Sequence, residues 1–357
     1  MNQSEINPDL ATLKLSSHVE HHVCLLADDD GHLPVINGRL PAGHHKLHQF
    51  VFGGCHHYDT SELTQAGDVP TTWLQGDACR KGEMLAMQLL AISGADAAPV
   101  FLDGKPIGSV YGDEDARYCY LGGIIPADVT ASREEQARSV FERMGEALES
   151  IGMKSTDIVR TWLYLDRLLD WYDPFNTVRT TWFNEQGIFD HMVPASTGIG
   201  AANPFGAALT AGLIAVQPLS DAAKIEPVAS PLQCPALDYS SSFSRAVEIG
   251  VHDHRTLYIS GTASIDPDGN SVHLGDAEQQ VDLTMRVVAA ILESRGMSWN
   301  DAVRGIAYFK NITQDKPIYD AYCKANNIPN FPLAISHADV CRDDLLFEIE
   351  VDAVVVG

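Results

Sequence analysis

The chain has 357 residues, 45% of them hydrophobic and 20% charged, proportions of a soluble globular protein too long for one ordinary core. Asp and Glu number 48 against 24 Lys and Arg, a formal net charge of −24. Such a surface repels phosphate backbones and anionic bilayers, which argues against nucleic acid and membrane as partners, and an anionic small substrate would need a local cluster of Arg inside a cleft.

The first twenty residues, MNQSEINPDLATLKLSSHVE, contain no basic stretch followed by an apolar run, so no secretion signal is read there. Nowhere does an uninterrupted apolar run approach the roughly 18 residues of a membrane span. Seven cysteines without paired spacing fit a reducing compartment, and a cytoplasmic location is expected. Nine of the 14 histidines fall between His18 and His57, in spacings that match no HExxH or paired CxxC set, so polar loops and strand ends are expected and no metal. Stretches such as KLHQFVFGG (46–54) read as strands of an additional sheet, making residues 1–104 a divergent extension.

Two strands are predicted next, ending in RYCYLGGIIP (117–126), followed by an amphipathic helix over REEQARSVFERMGEALES. Gly152 stands at its C-terminal cap. A strand (VRTWLYLD), a helix from about Pro174 and two strands ending in GLIAV (212–216) follow. A stretch rich in Pro and small residues, Pro227 to Pro235, reads as a linker. The same succession then recurs: RTLYISGTASI (255–265), a turn at DPDGN, a helix over AEQQVDLTMRVVAAILES, Gly296, a strand, a helix from about Lys316, and the final strand EIEVDAVVV.

This is a duplication. At a constant offset of 144, ESIGMKSTDIVRTWLYLD and ESRGMSWNDAVRGIAYFK share eight of 18 residues, Arg160/Arg304 and Tyr164/Tyr308 among them. Each unit reads β–β–α–β–α–β–β, and helices can cover only one face of such a sheet, so the other must be buried against a neighbour. Alternation gives Val159, Thr161, Leu163 and Leu165 to the helix side and Arg160, Trp162, Tyr164 and Asp166 to the opposite side. The last strand places Glu348, Glu350 and Asp352 on one face as well.

The loop YSSSFSRA (239–246), ISGTASI, the helix ending ESRGM, VRGIAYF, the pair Phe331–Pro332 and the final EIEVDAVVV resemble the Rid (YjgF-like) family, small trimeric α+β proteins with a fold like that of Bacillus-type chorismate mutase. In that family an Arg just after the Phe–Pro-like pair binds a substrate carboxylate. Here the position is Ala334 in the second copy and Ser196 in the first. The family's glutamate falls on Glu348, with Thr210 at the matching place of the first copy.

A divergent N-terminal region followed by two fused Rid-like units that lack the deaminase Arg is similar to the chorismatases, over most of the chain from about Lys105, with CRDDLLFEIE the most specific stretch. The resemblance implies an α+β fold, two fused Rid/YjgF-like units with an extended N-terminal region in a pseudo-trimeric barrel. It divides the chain into 1–226 (extension 1–104, Rid-like unit 105–226) and a catalytic unit 236–357, as a monomer or Rid-like homotrimer. It implies cofactor-free cleavage of chorismate to pyruvate and 3-hydroxybenzoate, with 4-hydroxybenzoate as a further product. Glu348 is then the general acid, and Cys341, seven residues earlier, marks the hydroxybenzoate-forming subgroup.

The chemistry suits those residue types. The enolpyruvyl ether of chorismate is stable until its methylene carbon is protonated, so a carboxyl group that keeps its proton near neutrality is the main requirement. The two carboxylates of the substrate call for cationic and hydroxyl partners. Arg160 and Tyr164 on the inward face are the candidates, with Arg179 in the second helix; Arg304 and Tyr308, or a structural role for both pairs, stand as alternatives. A Rid-type enamine/imine deaminase and a non-catalytic metabolite-binding protein are the competing functions.

Overall fold

A computed structural model describes residues 4–27, 40–53, 69–75, 84–239 and 241–357. Among these residues stand three six-stranded sheets, the N-terminal extension forming the additional sheet expected of it. The first holds β1 (Ser4–Ile6), β2 (Leu10–Lys14), β3 (Val19–Leu26), β4 (His45–Gly53), β5 (Thr71–Gln75) and β6 (Met84–Ser93). The second holds β7 (Ala98–Leu102), β8 (Lys105–Gly112), β9 (Ala116–Ile124), β10 (Ile158–Leu165), β11 (Ala195–Gly200) and β12 (Leu209–Pro218). The third holds β13 (Lys224–Val228), β14 (Ala246–Gly250), β15 (His254–Ala263), β16 (Ala302–Phe309), β17 (Leu333–His337) and β18 (Phe347–Val356).

Their orders are one pattern used three times: β1-β2-β3-β6-β4-β5, β7-β8-β9-β12-β10-β11 and β13-β14-β15-β18-β16-β17. In each sheet the last strand inserts between the third and fourth, and the fourth and fifth run parallel. Helices α1 (Arg133–Ser150) and α2 (Tyr172–Glu185) cover the outer face of the second sheet, and α3 (Ala277–Ser294) and α4 (Ile312–Ala325) that of the third. In the first sheet the corresponding connections, 28–39 and 54–68, lie outside the described residues, as do His32, His56 and His57 of the histidine cluster.

Each repeat thus has three strands before its first helix, not two. The extra strand of the third sheet, β13, takes in Pro227 and Val228 from the expected linker. It is an edge strand with mostly exposed side chains, so it carries no apolar alternation to read, and an edge tolerates a residue that cannot donate a ladder hydrogen bond. The cap glycines do stand where the repeat puts them. Gly152 and Gly296 have φ of 73° and 68°, and Met153 N and Met297 N reach back to Leu148 O and Leu292 O.

The inner faces of all three sheets share one core that includes Phe50, Trp162 and Tyr258. Its edges close in a ring: β5 packs against β9, β11 against β15 and β17 against β6. A bulge where β10 pairs with β12, between Ile158 and Arg160, turns Val159 to this inner core instead of the helix side, while Leu163 and Leu165 face the helices as the alternation requires. Among the described residues no helix is long and apolar enough to cross a membrane, and no group of His, Cys, Asp and Glu could hold a metal ion.

Candidate active site

The three inward carboxylates of β18 are all buried but meet different surroundings. Glu350 and Asp352 belong to a buried ionic cluster. Arg160 ion-pairs with Glu350 Oε2 at 3.1 Å and Asp352 Oδ1 at 3.0 Å, and Arg304 with Glu350 Oε1 at 2.8 Å and Asp352 Oδ2 at 3.1 Å. Trp162 Nε1 donates to Glu350 at 2.9 Å, and Arg160 Nη1 donates to Ile259 O at 3.1 Å. Burial alone would raise the Glu350 carboxyl, but Arg160 and Arg304 outweigh it and hold it below the usual carboxylate range.

Glu348 sits at the other end of the strand, opposite Ala263 of β15 and Tyr308 of β16. A break in the β15–β18 register between Ile259 and Thr262 leaves Gly261 beside it, and the carboxyl occupies the space a side chain there would fill: a Cβ on Gly261 would lie 2.0 Å from Glu348 Oε1. The group is 4% exposed, and among the described residues nothing hydrogen-bonds it. Burial, reinforced by the Glu350 carboxylate and opposed by Arg245, pushes it up to about 8. It is a carboxylic acid that keeps its proton at neutral pH.

Glu348 faces a cavity of about 550 Å³ between the second and third sheets. Arg179 and Tyr172 enter it from α2, Arg245 and Ser241 from the loop before β14, and Cys341 and Arg342 from the turn before β18. Arg179 is held by Asn176 Oδ1 (2.8 Å), Arg245 by Cys234 O (3.0 Å) and Arg342 by Gly269 O (2.8 Å). The floor is stitched across the sheets: Ser196 N donates to Ser260 Oγ (2.9 Å), Gly261 N to Thr197 Oγ1 (3.1 Å) and Gly200 N to Asp339 O (2.8 Å). Burial and the neighbouring Glu348 push the Cys341 thiol up to about 12, so it is a neutral S–H. A second opening along α2, past Asn176 and Thr180, shares Tyr172, Ser241, Cys341 and Arg342 and leads outward.

Of the residues picked from sequence, Glu348, Cys341 and Arg179 come together in this cavity. Arg160 and Tyr164 do not line it. Arg160 is fully buried in the ionic cluster, and the Tyr164 hydroxyl lies 3.2 Å from that of Tyr308, so both serve the sheet-to-sheet core. The position matching Ala334 also moves by one. Ala334 pairs with Ile306 and Thr197 with Trp162, so Thr197 and not Ser196 is the first-copy counterpart, the parallel strand being entered one residue later after Val193–Pro194 than after Phe331–Pro332.

The Endoribonuclease L-PSP family matches residues 235–355, the third sheet with its helices. A RutC family protein of Saccharolobus solfataricus is 31% identical over 113 residues, covering 85% of that protein and 31% of this chain. The chain belongs to the RutC family. Within this RutC family chain the likeness extends past the one unit: a 3-hydroxybenzoate synthase of Streptomyces hygroscopicus is 26% identical over 275 residues, 69% of the chain and 76% of that protein. A crystal structure of a chorismatase superimposes with a TM-score of 0.69 at 18% identity, over 93% of this chain and 98% of that one. The fold of three Rid-like sheets is shared with it.

Sequence reading missed Tyr172, Ser241, Arg245 and Arg342 as cavity residues. Two of them stand in YSSSFSRA and one in CRDDLLFEIE, stretches noted only for resemblance. The Arg cluster that an acidic chain would need was a usable signal, since Arg245 and Arg342 each flank a strand end at the same cleft.

Proposed function

We propose that this protein is a chorismatase that converts chorismate to pyruvate and 3-hydroxybenzoate, with Glu348 as general acid. The observation that carries this reading is a carboxylic acid protonated up to about pH 8 inside a cavity bearing three arginines. Arg179, Arg245 and Arg342, with the Tyr172 and Ser241 hydroxyls, would receive the two carboxylates. Glu348 then delivers its proton to the enolpyruvyl methylene carbon, giving an oxocarbenium ion whose charge the buried cavity concentrates on the breaking ring C–O bond. The ether oxygen leaves as the ketone of pyruvate, and the neighbouring ring hydroxyl closes onto the vacated carbon as an epoxide, giving up its proton. The bond from that oxygen to its original carbon then breaks as the proton returns to oxygen, and loss of the hydrogen on the carbon that now bears it aromatises the ring to 3-hydroxybenzoate. One proton enters and one leaves, so water is not consumed and no cofactor is called for. The relatives named chorismatase and 3-hydroxybenzoate synthase support this reading.

The direct test is to incubate purified protein with chorismate and follow pyruvate and the ring product. Equimolar pyruvate and 3-hydroxybenzoate are expected; ammonia released from an enamine without chorismate turnover would replace this reading with the deaminase one. Cys341, which lines the cavity with Glu348, is proposed to steer the collapse of the intermediate. Cys341→Val is expected to shift the ratio of 3-hydroxybenzoate to 4-hydroxybenzoate or to a non-aromatic diol, measured by chromatography, with chorismate consumption retained.

Gly261→Ala isolates the placement of the acid. The added methyl must push the Glu348 carboxyl away, and because the clash is with the end of a flexible side chain, folding is little affected. Turnover is expected to fall by roughly 10²-fold, as for a misplaced catalytic group, with the melting temperature almost unchanged.

A further inference from the structure

The ring of three sheets creates a second cleft of the same construction between the first and second sheets, where β5 packs against β9. Gly123 N donates to Thr72 Oγ1 (2.8 Å) as Gly261 N does to Thr197 Oγ1, and Thr72 pairs with Phe50 as Thr197 pairs with Trp162. The acid is gone: Thr210 pairs with Tyr164 where Glu348 pairs with Tyr308. At Gly123, the counterpart of Gly261, backbone stands where the acid would, since a Cβ there would lie 2.3 Å from Thr71 O, and His48 of β4 fills the space over the adjacent Gly122. His48 is fixed against Thr72 Oγ1 (2.9 Å), and burial together with Arg304 pushes it down to about 3, so it is neutral and cannot serve as a general acid.

What remains is an open cavity with an aromatic wall, Trp73 and Phe205, apolar sides at Ile107 and Ile124, and a cation, Arg143 of α1. Arg143 Nη2 pairs at 2.7 Å with Asp103, whose side chain is 68% exposed, and its Nε is buried without a hydrogen-bond partner among the described residues. An exposed ion pair contributes little, so a ligand carboxylate can take the place of Asp103 on a guanidinium that already has an unused donor.

We propose that this cleft is a second, non-catalytic site that binds an aromatic monocarboxylate, its carboxylate on Arg143 and its ring against Trp73. That the ligand is of the class the active cleft releases rests on the proposed chorismatase reading; the site itself does not. Calorimetric titration of 3-hydroxybenzoate, and separately of benzoate, into the full chain is expected to show two sites. Arg143→Met and Trp73→Ala should each weaken one of them roughly tenfold or more and leave initial chorismate turnover unchanged, while Arg245→Met weakens only the other. A single site abolished by Arg245→Met, or a second site indifferent to both Arg143→Met and Trp73→Ala, overturns the proposal. If chorismate is not turned over at all, benzoate binding that depends on Arg143 still upholds the second site, so the two readings fail separately. Melting curves of each variant separate lost binding from lost folding.

Discussion

Glu348→Gln is expected to abolish turnover of chorismate, by about 10³-fold or more, while leaving affinity for the ring product within a few-fold of the wild type. The amide keeps the shape of the carboxyl but holds no proton acidic enough to reach carbon. In the wild type the acid must be protonated, so kcat is expected to be flat on the acid side and to fall as pH rises through about 8. Stability gives a second readout. A carboxyl raised in the folded state binds its proton more tightly there than in the unfolded chain, so stability falls as pH rises from the ordinary carboxylate range to about 8 and is level above. Glutamine removes that cost. Glu348→Gln should therefore melt higher than the wild type at pH 8.5, by a margin worth a few kcal/mol, and nearly with it at pH 4.5. Retained turnover, or a stability gap that does not widen with pH, would remove Glu348 from the role of acid.

The parts legible in the sequence were those that local physics repeats. The offset of 144 carried the helices and cap glycines of two units, and the strand period put Glu348 on an inward face. The same period could not say which part of an inward face opens into a cleft. Arg160, Trp162 and Tyr164 share the face on which the site was sought, yet Arg160 reaches across to Glu350 and Asp352, two and four residues along β18 from Glu348, instead of into the cavity. Such reach depends on how far apart the sheets stand, which is a tertiary property. The N-terminal sheet was legible as strands but not as a further copy of the repeat, because little of its sequence repeats. Its clearest trace is Val69–Pro70, where Gln49 N donates to Pro70 O as Gly305 N does to Pro332 O beside Phe331. Arg245 and Arg342 escaped because they stand in turns, where no period marks direction.

The fate of Arg160 is a sharp test of that distinction. With Arg304, Glu350 and Asp352 it forms a charge-balanced, buried quartet, and removing Arg160 leaves two buried carboxylates sharing one counter-ion. Arg160→Met, close in volume and apolar, is expected to cost about 3–5 kcal/mol, seen as a fall in melting temperature at neutral pH. The sign of its pH dependence follows from Glu350. Its carboxyl is held below the ordinary value in the folded protein, so the quartet contributes stability that is fully present above the unfolded carboxylate pKa and is lost as pH falls through the lower folded one. The deficit of Arg160→Met should then be greatest near neutrality and shrink in acid. Adding Glu350→Gln to Arg160→Met removes the unpaired charge and should recover part of the loss, a coupling that a double-mutant cycle measures directly. Folded Arg160→Met enzyme should keep its KM for chorismate, while Arg245→Met and Arg179→Met raise theirs roughly tenfold or more. A variant that melts normally but raises KM as Arg245→Met does would return Arg160 to the substrate, as its place on the strand first suggested.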